Sequence, residues 1–423
     1  MKNLVAVFAG LMAIHAVAAE YNVRQFGATG TGRTYDTAAI QKALDACKDA
    51  GGTVIFPPGI YLSQPLTIYS KTRFQLEAGA TLQAGTNQAD FLKVPGDWLK
   101  AKGKDFVPFI GGENLDEVTF AGGGVIDGGG AAWWDEAEKA RQRESGYTLP
   151  RPDLIVLHQC RNLRMENITL QNSPRYHLVP VDGAGIVISN VTILAPEHAA
   201  NTDGIDPSNC KDVLITKCHV DVGDDDVAIK AGRKVEGREF ACENIVVTDC
   251  TFLHGHGMSI GSETTGGVHQ VIVRNCSFEN TDYGLRIKSR RGRGGLVEDV
   301  VFDHITMKNV RPAITFSPYY FGNAKGDNTP RVTASDAAKA AGKIPTFRNI
   351  HVSNLTATCA NTAGLIEGLP ESPISDVVLE NVTITAAKNF FIRNAKNIQL
   401  KNVSVVVPGG KPFVLENAQV SGL

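Results

Sequence analysis

From about residue 160 onward the sequence keeps returning to one phrase: alternating apolar residues, often an Asn, another apolar residue, a Ser or Thr, and a last apolar residue. Copies read LRMENITL at 163–170, IVISNVTI at 186–193, VLITKCHV at 213–220, IVVTDCTF at 245–252 and VIVRNCSF at 271–278. They continue as VVFDHITM at 300–307, NIHVSNLTA from Asn349, VVLENVTI at 377–384 and IQLKNVSV at 398–405. Most lie about 21 to 32 residues apart, the length of one solenoid coil, and the longer gap between Met307 and Asn349 leaves room for an extra coil or a loop. Period-two alternation with β-branched residues means strand, and no segment between the copies has a helical period. A leucine-rich or helical repeat therefore fits poorly, and a parallel β-helix fits well. A single core stops growing near roughly 250 to 300 residues, so a chain of 423 is suited to a core that extends lengthwise. The 43 Gly and 7% aromatic content agree with many tight turns and few bulky layers.

Lys2, the apolar stretch 4–17 and the small residues 16–19 read as a secretory signal peptide, residues 1–19, leaving 20–423 as a single parallel β-helix domain. The apolar stretch is too short to span a bilayer, so the expectation is an exported chain, secreted or periplasmic, without a membrane anchor. With 42 basic against 44 acidic side chains, a basic nucleic-acid binder is excluded. Eight Cys are too scattered for a disulfide scaffold. Cys218, Cys250 and Cys276 share one repeat position and are expected to stack inward, while Cys210 and Cys242 are candidates for a disulfide.

Asp36-Thr37 can cap a helix whose apolar face is Ile40, Ala43, Leu44 and Cys47, running to the break at Gly51-Gly52. It is placed to cover the open N-terminal end of the solenoid, and the tail from Pro408 to cap the other end less completely. AGGGVIDGGG at 121–130 lacks the Lys-Ser/Thr and the helix pattern of a phosphate loop and reads as tight turns. Six Asn-x-Ser/Thr matches, at Asn167, Asn190, Asn275, Asn354, Asn381 and Asn402, resemble glycosylation sites. The repeat would produce them as a structural ladder, which is the preferred reading.

Four polar clusters interrupt consecutive coils: NTDG at 201–204, GDDDVAIK at 223–230, HGHGMSIGSE at 254–263 and RIK at 286–288. With coils rising about 4.8 Å they form one patch. Asp203, Asp224, Asp225 and Asp226 concentrate charge there, and two charges about 5 Å apart at an effective dielectric of about 20 shift each other by about two pKa units. One carboxyl is then expected to stay protonated beside ionised ones, the pairing that glycoside hydrolysis uses. A calcium site and a solvated acidic turn are the competing readings of the same aspartates. His256, between glycines, can lie open to a ligand and tune a carboxylate. Arg286 and Lys288 alternate along a strand and suit a substrate carboxylate.

In this order the clusters resemble the signature of the glycoside hydrolase family 28 polygalacturonases, and VRQFGATG and DTAAIQKALDA resemble the capping segment of pectin-active β-helices. The resemblance implies an all-β fold: a single-stranded right-handed parallel β-helix, a solenoid, with an N-terminal capping α-helix. It implies inverting hydrolysis of α-1,4 bonds between galacturonic acids without cofactor or metal. Asp224 would be the general acid, Asp203 and Asp225 would activate water, and His256 would support the acid. Arg286 and Lys288 would hold the substrate carboxylate, Asn201 would line the site, and Tyr319 resembles a family tyrosine packing near the substrate. The partner would be a polygalacturonate or pectin oligosaccharide, and the chain a monomer. Asp226 departs from the family, which usually has a non-acidic residue there. A calcium-dependent pectate lyase, a rhamnogalacturonan or xylogalacturonan hydrolase, and a non-catalytic polysaccharide-binding β-helix are the alternatives.

Overall fold

The computed structural model describes residues 19–94, 105–143, 149–232, 240–320 and 343–423. The signal-peptide reading lies, except for Ala19, outside them. The copies of the repeat form strands, in the earlier coils as two short strands on either side of a turn, and these pair in parallel from coil to coil, which gives a right-handed parallel β-helix. Register follows the apolar alternation. Met165, Ile188, Ile215, Val247, Val273, Phe302, Val352 and Leu379 are successive partners along one column. All are fully buried, and each side chain so buried contributes about 1.5 to 3 kcal/mol. The strand Leu296–Val310 pairs directly with Thr346–Glu367, so the long gap in the repeat inserts no coil between them; its residues 321–342 lie outside those described.

The residue at one place of each phrase, Asn in six of the nine copies and Lys217, Asp249 and His304 in the others, turns a corner of the coil. All six sequon asparagines have φ between 51° and 54°, the left-handed region that Asn tolerates better than other side chains. Their amides link coils: Asn190 Nδ2 donates to Asn167 Oδ1 at 2.7 Å, Asn354 to Asp303 at 2.7 Å, Asn381 to Asn354 at 3.3 Å and Asn402 to Asn381 at 2.8 Å. The ladder is therefore present.

Helix α1, Thr37–Ala46, buries Ile40, Ala43 and Leu44 against the first coil, with Cys47 just beyond it, as expected of a cap. Asp36 stands at its start but does not cap it. Its carboxylate accepts from Thr29 N at 2.7 Å and Gly30 N at 3.0 Å, tying down the preceding loop. The tail departs from a cap. Its strand Phe413–Ser421 adds one more parallel partner, and Leu415 is left 40% exposed. A second helix, α2, Ala131–Arg143, follows the glycine-rich turn where no helix was expected. It is anchored by Trp133, fully buried and edge-on to Phe91 and Phe106.

All eight cysteines are free and buried. Cys210 and Cys242 are neighbours without a bond: the Cys210 N–H donates to Cys242 Sγ at 3.4 Å. Cys218, Cys250 and Cys276 do stack, since Thr216, Thr248 and Arg274, each two residues earlier, are successive partners. No helix among the described residues is long and apolar enough to cross a membrane.

Candidate active site

The four polar clusters meet because the coils are in register. Ile205, Val227, Met258 and Leu285 are successive parallel partners. Asp203, Asp225, His256 and Tyr283, each two residues earlier, therefore occupy the same position of four consecutive coils. Ser259 and Arg286 are partners on the other side of this column. The short strands Val227–Ile229, Met258–Ile260 and Leu285–Lys288 are buried along their length, so the reactive groups project from a rigid wall.

Asp224 and His256 form the accessible layer, with side chains 19% and 29% exposed, and His256 Nδ1 lies 3.0 Å from Asp224 Oδ1. Burial opposes charge on both, but each outweighs it for the other. The Asp224 carboxyl is held well below its usual range, and the His256 pKa is raised. Each group thus favours the charged form of the other, imidazolium beside carboxylate. His256 Nε2 faces Asp282 Oδ2 at 3.6 Å, and Asn201 Nδ2 reaches Asp224 Oδ2 at 3.4 Å.

Asp225 lies beneath. Lys288 Nζ sits 2.5 Å from its Oδ2, Arg286 Nη1 3.7 Å from its Oδ1, and the Ser259 hydroxyl donates to Oδ1 at 2.8 Å. Burial pushes its carboxyl up, but Lys288 and Arg286 overcome this and the neighbouring Asp224, so its pKa is lowered. The cations are themselves sunk, Arg286 to 6% and Lys288 to 5% exposure. Arg286 lies 3.8 Å over the Tyr283 ring, and Tyr320 packs on both cations at 5.5 and 5.2 Å. Asp224, Asp225 and His256 offer three possible metal ligands within 4.8 Å, but the Asp225 oxygen that faces His256, Oδ1, already accepts from the Ser259 hydroxyl and lies 3.7 Å from the Arg286 guanidinium, whose charge opposes a cation there.

Residues 61–408 match the family model described as Glycosyl hydrolases family 28. This chain is a family 28 glycosyl hydrolase. An endo-polygalacturonase of Pectobacterium carotovorum subsp. carotovorum is 33% identical over 371 residues, covering 85% of this chain and 86% of the relative. Among solved structures, the exopolygalacturonase of Thermotoga maritima superposes with TM-score 0.77 at 28% identity, covering 92% and 91% of the two chains. The polygalacturonase of Erwinia carotovora ssp. carotovora gives 0.69 at 30%, covering 92% and 94%. A further match, described as Rhamnogalacturonase A/epimerase, pectate lyase-like, spans only 21–95 and contains none of the polar clusters. Membership in a hydrolase family sets aside the pectate lyase and the non-catalytic binder; the enzyme is a glycosidase.

The pKa values of the glycosidase's crowded carboxylates are pushed apart. The Asp224 and Asp225 carboxyls are lowered. Asp203 is raised well above the usual range by burial and by Asp206, and Asp226 is raised by burial. Asp226, the departure from the family pattern, is fully buried; its Oδ2 accepts from Gly257 N at 2.8 Å and its Oδ1 meets no partner. It fastens the Gly255–Gly257 turn that carries His256.

Several supporting residues carried no motif. Arg151, buried, donates to the carbonyls of Pro174 and Ala200 and to Asn201 Oδ1, fixing the Asn201 corner, and burial lowers its pKa to about 10. His177 accepts from Ser173 N and meets the Asp203 carbonyl at 3.0 Å; burial lowers it to about 4, so it is a neutral strut. Tyr319 is not the ring at the cation pair. Arg291 and Arg393 lie over it at 5.6 and 5.9 Å, and its neighbour Tyr320 takes the place against Arg286 and Lys288.

Proposed function

We propose that this hydrolase is a polygalacturonase, cleaving α-1,4 bonds between galacturonic acid residues of pectin with inversion and without a metal. The observation that carries the substrate is the pair of sunken cations, Arg286 and Lys288, on the same wall as Asp224. A neutral sugar needs no such pair, whereas a uronic acid presents a carboxylate that matches it. The names of the relatives point to the same substrate.

In this reading Asp224 is the general acid, and Asp225 and Asp203 activate water. His256 supplies the proton through its 3.0 Å contact with Asp224. A substrate carboxylate on Arg286 and Lys288 draws their charge away from Asp225 and Asp224. Both carboxylates become more basic, and the stored proton moves from His256 to Asp224, ready for the leaving oxygen. Tyr320, rather than Tyr319, walls the cation pair, and Asn201 orients Asp224. Residues 1–19 are removed on export, leaving Glu20 at the mature N-terminus, and the enzyme works as a monomer.

The test follows new reducing ends from polygalacturonate with chelator present, reading ultraviolet absorbance in the same tube. Reducing ends without absorbance are expected, and Asp224→Asn should reduce turnover by roughly a hundredfold or more. A double-bond absorbance, full activity of Asp224→Asn, or retention of the product anomer by NMR would each contradict part of the scheme. Faster turnover of xylogalacturonan or rhamnogalacturonan would move the substrate.

A further inference from the structure

Asp203 does not stand alone. Ser208 is the parallel partner of Lys230 one coil on, which brings the Lys230 ammonium 2.8 Å from Asp203 Oδ2 and 2.5 Å from Asp206 Oδ2. Both carboxyls are almost wholly buried, at 3% and 1% exposure. The second oxygen of each, Oδ1, is also buried and meets no donor. One ammonium cannot balance two buried carboxylates, and two unmatched acceptors are what a retained proton would satisfy. We propose that Asp206 and Lys230 are positioning residues that set the pH at which Asp203 becomes able to activate water, and so the acidic limit of hydrolysis.

The surroundings all bear on that balance. Lys230 rests 4.3 Å over the Tyr176 ring, and Arg175 lies 4.4 Å over the same ring while paired with Asp153. Asp224 and Asp225, one coil on, add negative charge that favours the protonated form of Asp203. His177 meets the Asp203 carbonyl as a neutral group. Burial, ahead of every neighbour, raises both carboxyls, Asp206 to about 6, and Lys230 pulls the other way. Removing either partner of Asp203 therefore shifts it in a predictable and opposite sense. Without the Asp206 charge, Lys230 serves Asp203 alone and ionisation becomes easier. Without Lys230, two carboxyls face each other with no ammonium between them and only the more distant Arg175, already paired with Asp153, and ionisation becomes harder.

This inference rests on reading Asp203 as one of the two water-activating groups. Its test is the pH profile of kcat on polygalacturonate for Asp206→Asn and Lys230→Met. Unit charges about 5 Å apart at an effective dielectric of about 20 move each other's titration by about two pH units, so shifts of at least about one unit are expected. The acid limb should move to lower pH in Asp206→Asn and to higher pH in Lys230→Met, with KM little changed because neither is assigned a contact with substrate. A purely structural role would lower activity without moving the limb in opposite directions. Limbs that coincide with the wild type, or that move the same way, overturn the proposal. Should Lys230→Met fail to fold, the near-isosteric Asp206→Asn decides by itself. Asp203→Asn separates the two levels of the argument. If it is silent while the limbs stay put, only this inference falls; if it turns over like the wild type, the assignment of Asp203 falls too.

Discussion

Asp226 offers a test of the site's electrostatics that needs no substrate. Its carboxyl is fully buried with one oxygen unpartnered, and burial, ahead of the nearby Asp225 and Asp221, raises its pKa well above the usual value. In the unfolded chain an Asp titrates near about 3.9. Below that pH both states hold the proton and the residue is neutral towards folding. Above it the unfolded chain ionises while the native one does not, so Asp226 withdraws about 1.4 kcal/mol of stability per pH unit until its folded pKa is reached. Asp226→Asn abolishes that titration and keeps an oxygen to accept the Gly257 N–H, bonded at 2.8 Å in the wild type. The added amide hydrogens have no evident acceptor, which costs a constant about 1 to 3 kcal/mol. The informative quantity is therefore the slope. Urea unfolding of both proteins at pH 4, 5 and 6 should show the variant gaining on the wild type by about 1.4 kcal/mol per unit. A difference that does not change with pH would mean Asp226 is ionised in the native protein, and the reasoning would be refuted.

Other expectations follow from the same geometry. Lys288→Met should raise KM through the lost cation and also move the acid limb of kcat/KM to higher pH, because Lys288 is the main group lowering the pKa of Asp225. A change in KM alone would mean that Lys288 serves substrate only. Asn381→Ala removes both a left-handed corner residue, φ 53°, and a rung bonded on each side. It should cost about 1 to 3 kcal/mol in urea unfolding with turnover of the intact enzyme unchanged.

Much of the architecture was legible because a solenoid repeats its reasons. Each phrase states the same alternation, so register, inward Cys stacking and the Asn ladder could be read from one copy and checked on the next. The polar clusters were legible because they break that pattern in consecutive coils. What escaped depends on how coils superpose or on a turn's exact course. Lys230 and Asp206 stand inside or beside quoted motifs, yet only the pairing of Ser208 with Lys230 reveals that they share Asp203. Arg151 and His177 belong to no motif, and act on backbone carbonyls that a sequence does not locate. Tyr319 and Tyr320 follow the strand Ile314–Ser317, where alternation no longer tells which ring faces the cations. Helix α2 buries only Trp133 and the small Ala137 among its described side chains and is otherwise largely alanine, charged and polar residues, which gives little helical signal.

The asparagine corners bear on how this enzyme can be produced. Sugar transfer in a eukaryotic secretory pathway uses the same side-chain nitrogen that bonds the adjacent coil at Asn190, Asn275, Asn354, Asn381 and Asn402. A glycan attached before folding would deprive a corner of its rung and wedge a bulky, hydrated branch along the line where coils must close. Yeast or plant hosts would therefore yield a heterogeneous product impaired in stacking, and a bacterial host is the sound choice for recombinant material.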